Sequence, residues 1–275
     1  MTDRRRKRVL ITGGGSGLGE AMARRFADQG EQLIVADLDS ERAGTVAESL
    51  GEDHLALTMD VTAEDDWQRV LSEVKDRCGG LDVLINNAGV AVGGTLEETS
   101  IEDWRWVFDI DLMGVVLGCK TFAPLLREQG HGHIINVASF AGFAGAPGIN
   151  AYGTAKAGVI AMSEMLRAEL ATAGVFVSVL CPAFVKTRLT ETMRAPDPSY
   201  QSRVERWMHN SGVSAEDVAG VVLNAVRKPR FMLLTHGNTR WIWRLRRWFP
   251  EMYFRMVMRG VRRIEQRQTR KHSND

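Results

Sequence analysis

The sequence predicts an α/β protein built on a doubly wound, seven-stranded parallel sheet with helices on both faces. Three observations carry that expectation. Apolar runs of strand length alternate with segments of helical period from Arg8 to Thr235. A glycine-rich turn, Thr12-Gly13-Gly14-Gly15-Ser16-Gly17-Leu18-Gly19, follows the first run directly and opens the first helix. Asp60, Asn87 and Ser139 fall at or just past the ends of apolar runs, where ligands of such sheets bind.

Arg8 to Thr12 reads as the first strand. The helix after it carries Ala21, Ala23, Phe26 and Ala27 on its apolar positions and stops at Gly30, and Leu33 to Ala36 is a second strand closed by Asp37. Three glycines in a row can form a merely flexible turn, but a strand, turn, helix and strand within about 30 residues points to a phosphate cradle. Positions without side chains let the backbone approach a pyrophosphate at the helix N-terminus, where free N–H groups and the helix dipole favour an anion. Asp37 comes 18 residues after Gly19 and can accept hydrogen bonds from both hydroxyls of an adenosine ribose. Its charge repels a 2′-phosphate, and neither Ser16 nor Leu38 supplies a compensating cation, so NAD(H) is favoured over NADP(H).

The alternation continues with a helix from Ser40 to Leu50, a strand from His54 to Thr58 that leads to Asp60-Val61, and a helix from Ala63 to Cys78. After Gly79-Gly80 the run Leu81 to Ile85 delivers Asn86-Asn87-Ala88-Gly89. That block is a polar turn or part of a ligand site, and its place at a strand end favours the second. Ile101 to Gln129 is expected as one long helix, entered through Ser100 with Asp103 three residues on. Trp104, Val107, Phe108, Asp111, Leu112 and Val115 share one stripe. A carboxylate there is either a buried Asp bonded to backbone or a functional group, and spacing leaves both open. His131 and His133 are assigned to a turn, not to a metal.

His133 to Val137 is the next strand, with Ser139 just past its carboxyl end. In the helix from Asn150 to Arg167, Tyr152 and Lys156 lie one turn apart on one face. A tyrosine ordinarily titrates near about 10, a general acid or base works best nearer the operating pH, and an ammonium beside a phenol favours phenolate. Ser139 could hold a substrate oxygen while the phenol exchanges its proton. An isolated Tyr-x-x-x-Lys is commonly incidental on an exposed helix; the surroundings here reverse that reading. Val175 to Leu180 is a strand that leads to Cys181-Pro182-Ala183-Phe184-Val185-Lys186-Thr187. Arg188 to Asn210, broken by Pro196 and Pro198, reads as a mobile flap whose Leu189, Met193, Trp207 and Met208 suggest an apolar substrate. Ala215 to Arg227 is a helix and Phe231 to Thr235 the last strand.

With 275 residues, 44% of them hydrophobic and 25% charged, the chain can bury a substantial core. No apolar run approaches the roughly 20 residues that cross a bilayer. The basic run Arg4 to Arg8 is followed only by Val9 to Ile11 before the glycines, too short for a signal peptide. Cys78, Cys119 and Cys181 are too widely spaced for a disulfide framework or a metal site, so a reduced, cytosolic protein is expected. The net charge of +1 conceals an asymmetry: Asn238 to Asp275 holds eleven Arg or Lys against three acids, +8, which leaves −7 for the rest. Residues 237–275 therefore stand apart from a single domain over 1–236. Trp241, Leu245, Trp248, Phe249, Met252 and Met256 lie near one helical face, with Arg244, Arg247, Arg255, Arg259, Arg262 and Arg263 opposite, and Pro250 starts a second helix. Such an element suits a membrane surface or a partner. Alternatively, the aromatic face covers the substrate pocket or a neighbouring subunit. Nucleic acid is not an expected partner, since no recognised module is present.

Thr12-Gly-x-x-x-Gly17-x-Gly19, Asn86-Asn87-Ala88-Gly89, Ser139 and Tyr152-x-x-x-Lys156, in this order and spacing, resemble the short-chain dehydrogenase/reductase family over roughly Arg8 to Thr235. The resemblance implies a Rossmann enzyme with strand order 3-2-1-4-5-6-7 that moves a hydride between nicotinamide C4 and a carbinol carbon. It implies Tyr152 as acid or base, Lys156 on the nicotinamide ribose and lowering the tyrosine pKa, and Ser139 on the carbonyl. Gly13, Gly17 and Gly19 would form the phosphate turn, with Ser16 and Leu18 at the adenosine half. Asp60 and Val61 would touch the adenine, Asn87 and Gly89 with Ala88 between them the ribose, and Pro182, Val185 and Thr187 the nicotinamide. Helices 101–129 and 150–173 would pair across subunits of a homodimer or homotetramer. Two positions depart from the family pattern. Asp111 replaces an asparagine that anchors a proton-relay water to the lysine, and Ala183 replaces a glycine. The implied substrate is a hydrophobic secondary alcohol or ketone. Alternatives are an NADP-dependent carbonyl reductase and a non-catalytic dinucleotide sensor, the latter supported by Asp111.

Overall fold

A computed structural model describes residues 5–272, with side chains through residue 262 except at position 238. Arg4, the side chain of Arg263 and residues 273–275 of the basic extension lie outside that description. Seven strands, β1 (Arg8–Thr12), β2 (Gln32–Asp37), β3 (Leu55–Thr58), β4 (Val83–Asn86), β5 (Gly132–Val137), β6 (Val175–Cys181) and β7 (Met232–Leu234), pair in parallel in the order β3-β2-β1-β4-β5-β6-β7. In chain order the helices are α1 (Gly17–Ala27), α2 (Ser40–Leu50), α3 (Glu64–Cys78), α4 (Ile101–Phe108), α5 (Gly114–Gln129), the short α6 (Ala141–Ala144), α7 (Asn150–Leu170), α8 (Pro198–His209), α9 (Ala215–Arg227), α10 (Gly237–Trp248) and α11 (Pro250–His272).

Strand alternation sends successive side chains to opposite faces. Val9 and Ile11 of β1 join Leu33, Val35, Ile85 and Ile135 in one core, closed by Met22 and Phe26 of α1, Val46 of α2 and Val222 of α9. Leu10 faces the other way with Ile34, Leu84 and Ile134, beneath Trp67 of α3, Phe122 of α5 and Val159 of α7. Burial on both faces explains why the strands read as continuous apolar runs.

Three expectations need correction. The helix from Ile101 to Gln129 is not uniform: residues Asp109–Met113 form a π-helical turn between α4 and α5. The wider turn brackets Asp111, whose fully buried carboxylate accepts the Val90 N–H at 2.8 Å. His133 is not in a turn; it pairs with Val83 and Phe176 inside the sheet, its Nε2 2.7 Å from Ser178 Oγ. Burial brings its pKa down to about 4, with a smaller push from Lys7, so the ring is neutral. Pro198 does not break the flap but opens α8, at a helix position where the missing N–H costs nothing.

A buried clamp joins the starts of β1 and β4. Arg8 donates from its backbone N–H and from Nε to Asp82 Oδ2, at 2.9 and 2.8 Å, and from Nη2 to Oδ1 at 3.2 Å. Burial pushes the Asp82 carboxyl up, but the bonds from Arg8 together outweigh it and hold the group at about 2, below its ordinary 3.8. A depressed carboxyl contributes stability in full above its unfolded value, and that contribution is lost as pH falls through the folded one. Unfolding free energy should therefore drop by about 2 kcal/mol through this group between pH ~4 and pH ~2. Denaturant melts across that window should lose this part of the slope in Asp82→Asn; an unchanged slope would contradict the assignment.

Candidate active site

Between β1 and α1 the chain turns through left-handed conformations at Gly13 (φ 61°) and Gly17 (φ 54°). A Cβ on Gly13 would also lie 2.9 Å from the Ala88 Cα, and one on Gly19 only 2.0 Å from the Gly13 carbonyl oxygen. Ser16 holds the N-cap position of α1 in extended backbone, but its hydroxyl makes no capping bond. The helix start is thus left without a side-chain cap, the arrangement that receives phosphate oxygens.

The end of β4 is tied to this turn. Thr12 Oγ1 accepts the N–H groups of Asn87 and Ala88 at 3.0 and 3.1 Å, and the Asn87 amide donates to the carbonyls of Thr12 and Gly13 at 2.9 and 3.1 Å. At the end of β2, Asp37 accepts from the Gly15 N–H at 2.9 Å and from the Asp39 N–H at 3.1 Å, which fixes its carboxylate at the rim. A cation does stand close by, supplied not by position 16 or 38 but by a residue the sequence reading did not consider. Arg42 lines the same rim, its Nε 3.0 Å from Asp39 Oδ2. Its place in the first turn of α2, three residues after Asp39, was the signal available in the sequence.

Ser139 follows β5, and its Oγ accepts the Ala141 N–H at 3.1 Å. Tyr152 and Lys156 project from α7, with the Lys156 Nζ 5.8 Å from the centre of the Tyr152 ring. A polar chain beneath them positions that helix: Asn86 of β4 donates to Asn136 of β5 at 2.8 Å, Asn136 to Ser163 of α7 at 3.0 Å, and Ser163 to the Val159 carbonyl at 2.6 Å. Lys156 is 3% exposed and donates to the Val137 carbonyl at 3.2 Å. Its Nζ lies 3.3 Å from Asp111 Oδ2, a contact between charges without the alignment of a hydrogen bond. Gly89 passes this pair with no room to spare, since a Cβ there would be 3.2 Å from both Asp111 Oδ1 and Lys156 Nζ.

Burial pushes the Asp111 carboxyl upward, while the Lys156 ammonium and the Val90 N–H pull it down. At Tyr152 burial again acts most strongly and raises the phenol; Lys156 draws it down, Asp111 pushes it up and Ser139 lowers it. Lys156 therefore acts in the expected direction, but the net shift is upward. Cys181, buried behind this group, is raised to about 12 and stays a neutral thiol.

One cleft of about 470 Å³ runs over the carboxyl ends of the strands. In the order of the sheet it is lined by Asp60 and Val61 after β3, Asp37 at the end of β2, Gly13, Ser16, Gly17 and Leu18 after β1, Asn87, Ala88 and Gly89 after β4, Ser139 after β5 with Tyr152 and Lys156 of α7, and Pro182, Val185 and Thr187 after β6. Of the expected residues, Gly19 and Asp111 lie behind the lining, the first against the turn and the second against Lys156. Met59, Val90, Ile110, Arg188, Glu191 and Thr192 line the cleft and were not singled out. Ordinary apolar or flap residues carry no signal of that role.

The glycine turn, the rim carboxylate and the Ser139–Tyr152–Lys156 group on a doubly wound sheet define a nucleotide-binding Rossmann protein with oxidoreductase chemistry. The family model described as short chain dehydrogenase matches residues 7–198. A 1-deoxy-11-beta-hydroxypentalenate dehydrogenase of Streptomyces exfoliatus is 36% identical over 238 residues, 84% of each chain. A meso-2,3-butanediol dehydrogenase of Serratia marcescens is 36% identical over 217 residues, 78% of this chain and 85% of the other. The crystal structure of a short-chain dehydrogenase/reductase from Burkholderia phymatum in complex with NAD matches with a TM-score of 0.85 at 32% identity, covering 92% of this chain and 96% of that one. The chain belongs to the short-chain dehydrogenase/reductase family.

The contact at Gly19 is testable against a permissive glycine. Gly19→Ala should lower the unfolding free energy by about 1–3 kcal/mol, because backbone must move. Gly44→Ala in α2, where a Cβ meets nothing within 4 Å, should gain up to about 1 kcal/mol. Urea melts of the two variants with equal midpoints would contradict the close approach.

Proposed function

We propose that the chain is an NAD-dependent oxidoreductase that moves a hydride between the cofactor and a secondary alcohol or ketone on a hydrophobic body. One observation carries this reading: Ser139, Tyr152 and Lys156 meet at one end of the same cleft whose other end holds Asp37 and the start of α1.

The residues fit a dinucleotide. The uncapped start of α1 offers N–H groups to a pyrophosphate. Asp37, oriented by the Gly15 and Asp39 N–H groups, has the charge and position to accept from ribose hydroxyls and oppose a 2′-phosphate. Arg42 is occupied by Asp39, so the balance at this rim favours NAD(H). When bound, the nicotinamide accepts a hydride from a carbinol carbon or returns it to a carbonyl carbon. Tyr152 takes the hydroxyl proton as phenolate in oxidation and gives it back as phenol in reduction. Ser139 donates a hydrogen bond to the reacting oxygen. Lys156, seated by the Val137 carbonyl and Asp111, stabilises the phenolate and would hold the ribose of a bound dinucleotide.

Val90, Ile110, Leu189 and Met208 make the cleft walls apolar, whereas Met193 and Trp207 of the flap lie outside the lining, Trp207 packed on Phe184 with ring centres 5.0 Å apart. The lining side chains support a hydrophobic substrate. The two dehydrogenases named above act, by name, on a pentalenate and on a butanediol, so kinship alone does not choose. We read the protein as a cytoplasmic homodimer or homotetramer. The outward Met113 and Met165, 45% and 62% exposed beside α5 and on α7, support a subunit contact there.

Two substitutions test the chemistry. Tyr152→Phe should lower kcat about 10²–10⁴-fold with the dissociation constant for NAD unchanged; retained turnover would remove Tyr152 from its role, whereas NAD binding with no turnover before or after the change would favour a dinucleotide sensor. Asp111→Asn removes a charge that raises the Tyr152 phenol. The phenolate then forms at lower pH, so the rising limb of the alcohol-oxidation profile should move to lower pH. A limb that stays in place or moves up would contradict the coupling.

A further inference from the structure

The segment from Gly237 to Arg262 carries a surface that the oxidoreductase reading does not use. Its two helices pack on one another and are anchored to the domain at α6: Arg246 Nη1 donates to the Phe143 carbonyl at 2.5 Å, and the Tyr253 hydroxyl donates to the Ala144 carbonyl. Leu245 and Tyr253 are buried and Trp243 packs against the core, so the segment is docked. The face that spacing assigned to it splits accordingly. Leu245 turns inward, but Trp241, Trp248, Phe249, Met252 and Met256 stay between 38% and 72% exposed, and Phe254 joins them at 57%. None of these residues lines the cleft.

The same segment holds seven arginines from Arg240 to Arg262 against one acid, Glu251, and all seven are exposed. Among the described residues none of the seven stands in an ion pair. On α10 the period of 3.6 places Arg240, Arg244 and Arg247 beside Trp241 and Trp248 on the outward arc. Six exposed large apolar side chains set on two helices among arginines that stand in no ion pair suit an interaction surface better than an ordinary solvated face. A second copy is a poor occupant, because a two-fold contact through this segment would set arginines against the same arginines, six of them besides the anchoring Arg246. The charge complement is a surface that is extended, anionic and apolar just beneath. Among the described residues no helix is long and apolar enough to cross a membrane, so the segment would lie on one.

We propose that α10 and α11 form a docking face for an anionic phospholipid bilayer, with Trp241, Trp248 and Phe249 entering the headgroup boundary and the arginines pairing with lipid phosphates. The anchor on α6, which begins two residues after Ser139, would hold the bilayer on the side of the catalytic group. A route for an apolar substrate from lipid to cleft rests on the function proposed above; the docking face itself does not.

The test uses the full chain and no turnover. Vesicles of equimolar phosphatidylglycerol and phosphatidylcholine should sediment the protein at low salt, vesicles of phosphatidylcholine alone should not, and ~1 M salt, where screening acts within about 3 Å, should release it. Each arginine near an anionic surface is worth about fivefold in partitioning. Arg240→Gln, Arg244→Gln and Arg259→Gln combined should therefore cost about a hundredfold, with circular dichroism and NAD binding unchanged. Trp241→Ala with Trp248→Ala should also weaken binding. No sedimentation with anionic vesicles, or binding indifferent to the arginine changes, would overturn the proposal. So would a dimer in solution that Trp248→Ala dissociates while vesicle binding is absent.

Discussion

A lysine ammonium is costly to hold in an apolar interior without a counter-charge, and Lys156 is 3% exposed. Three parts of the chain converge to hold it. β5 supplies the Val137 carbonyl, the π-turn between α4 and α5 supplies Asp111, and the Asn86–Asn136–Ser163 chain fixes the helix from which Lys156 projects. Gly89 lets the β4 loop pass over the pair at contact distance. Removing Asp111's charge and removing its side chain are thus different operations: asparagine still accepts from Val90, whereas alanine would leave both that N–H and the ammonium without their partner.

The electrostatics of the cleft follow from the same pair. Lys156 stabilises negative charge on the Tyr152 oxygen, and Asp111, 3.3 Å from that ammonium, partly cancels the effect. At the other end Asp37 is held by two N–H groups while Arg42 is turned to Asp39. The proposed preference for NAD(H) therefore depends on Asp39 as well as on Asp37, since Arg42 released from Asp39 would be a cation at the rim.

The doubly wound parallel sheet and the polar residues at the strand ends were legible in the sequence because they rest on short-range pattern: strand-length runs, a glycine turn flanked by strand and helix, and a one-turn spacing of Tyr152 and Lys156; the strand order came with the family resemblance those motifs carry. What was hidden depends on contacts between distant segments. Nothing in the run Asp109 to Met113 marks a π-turn, because the extra residue is stabilised by a loop 21 positions away at Val90. His133 directly follows Gly130-His131-Gly132 and looks like a turn residue, yet pairing on both sides takes it into the sheet. The Arg8–Asp82 clamp joins residues 74 apart. In the extension, helical spacing alone found the aromatic face but not which part of it docks; Leu245 lies in that stripe with Trp241 and is buried, whereas Trp241 is exposed.

The proposed reaction has Tyr152 exchange a proton with a hydrophobic secondary alcohol, beside Ser139 and Lys156, while NAD takes the hydride. Initial rates for a panel of hydrophobic and small polar secondary alcohols, with NAD and NADP in parallel and followed at the nicotinamide absorbance, test it most directly. Faster turnover of hydrophobic alcohols, with NAD ahead of NADP, is the expected result. Cofactor binding with no turnover of any alcohol in either direction would contradict it.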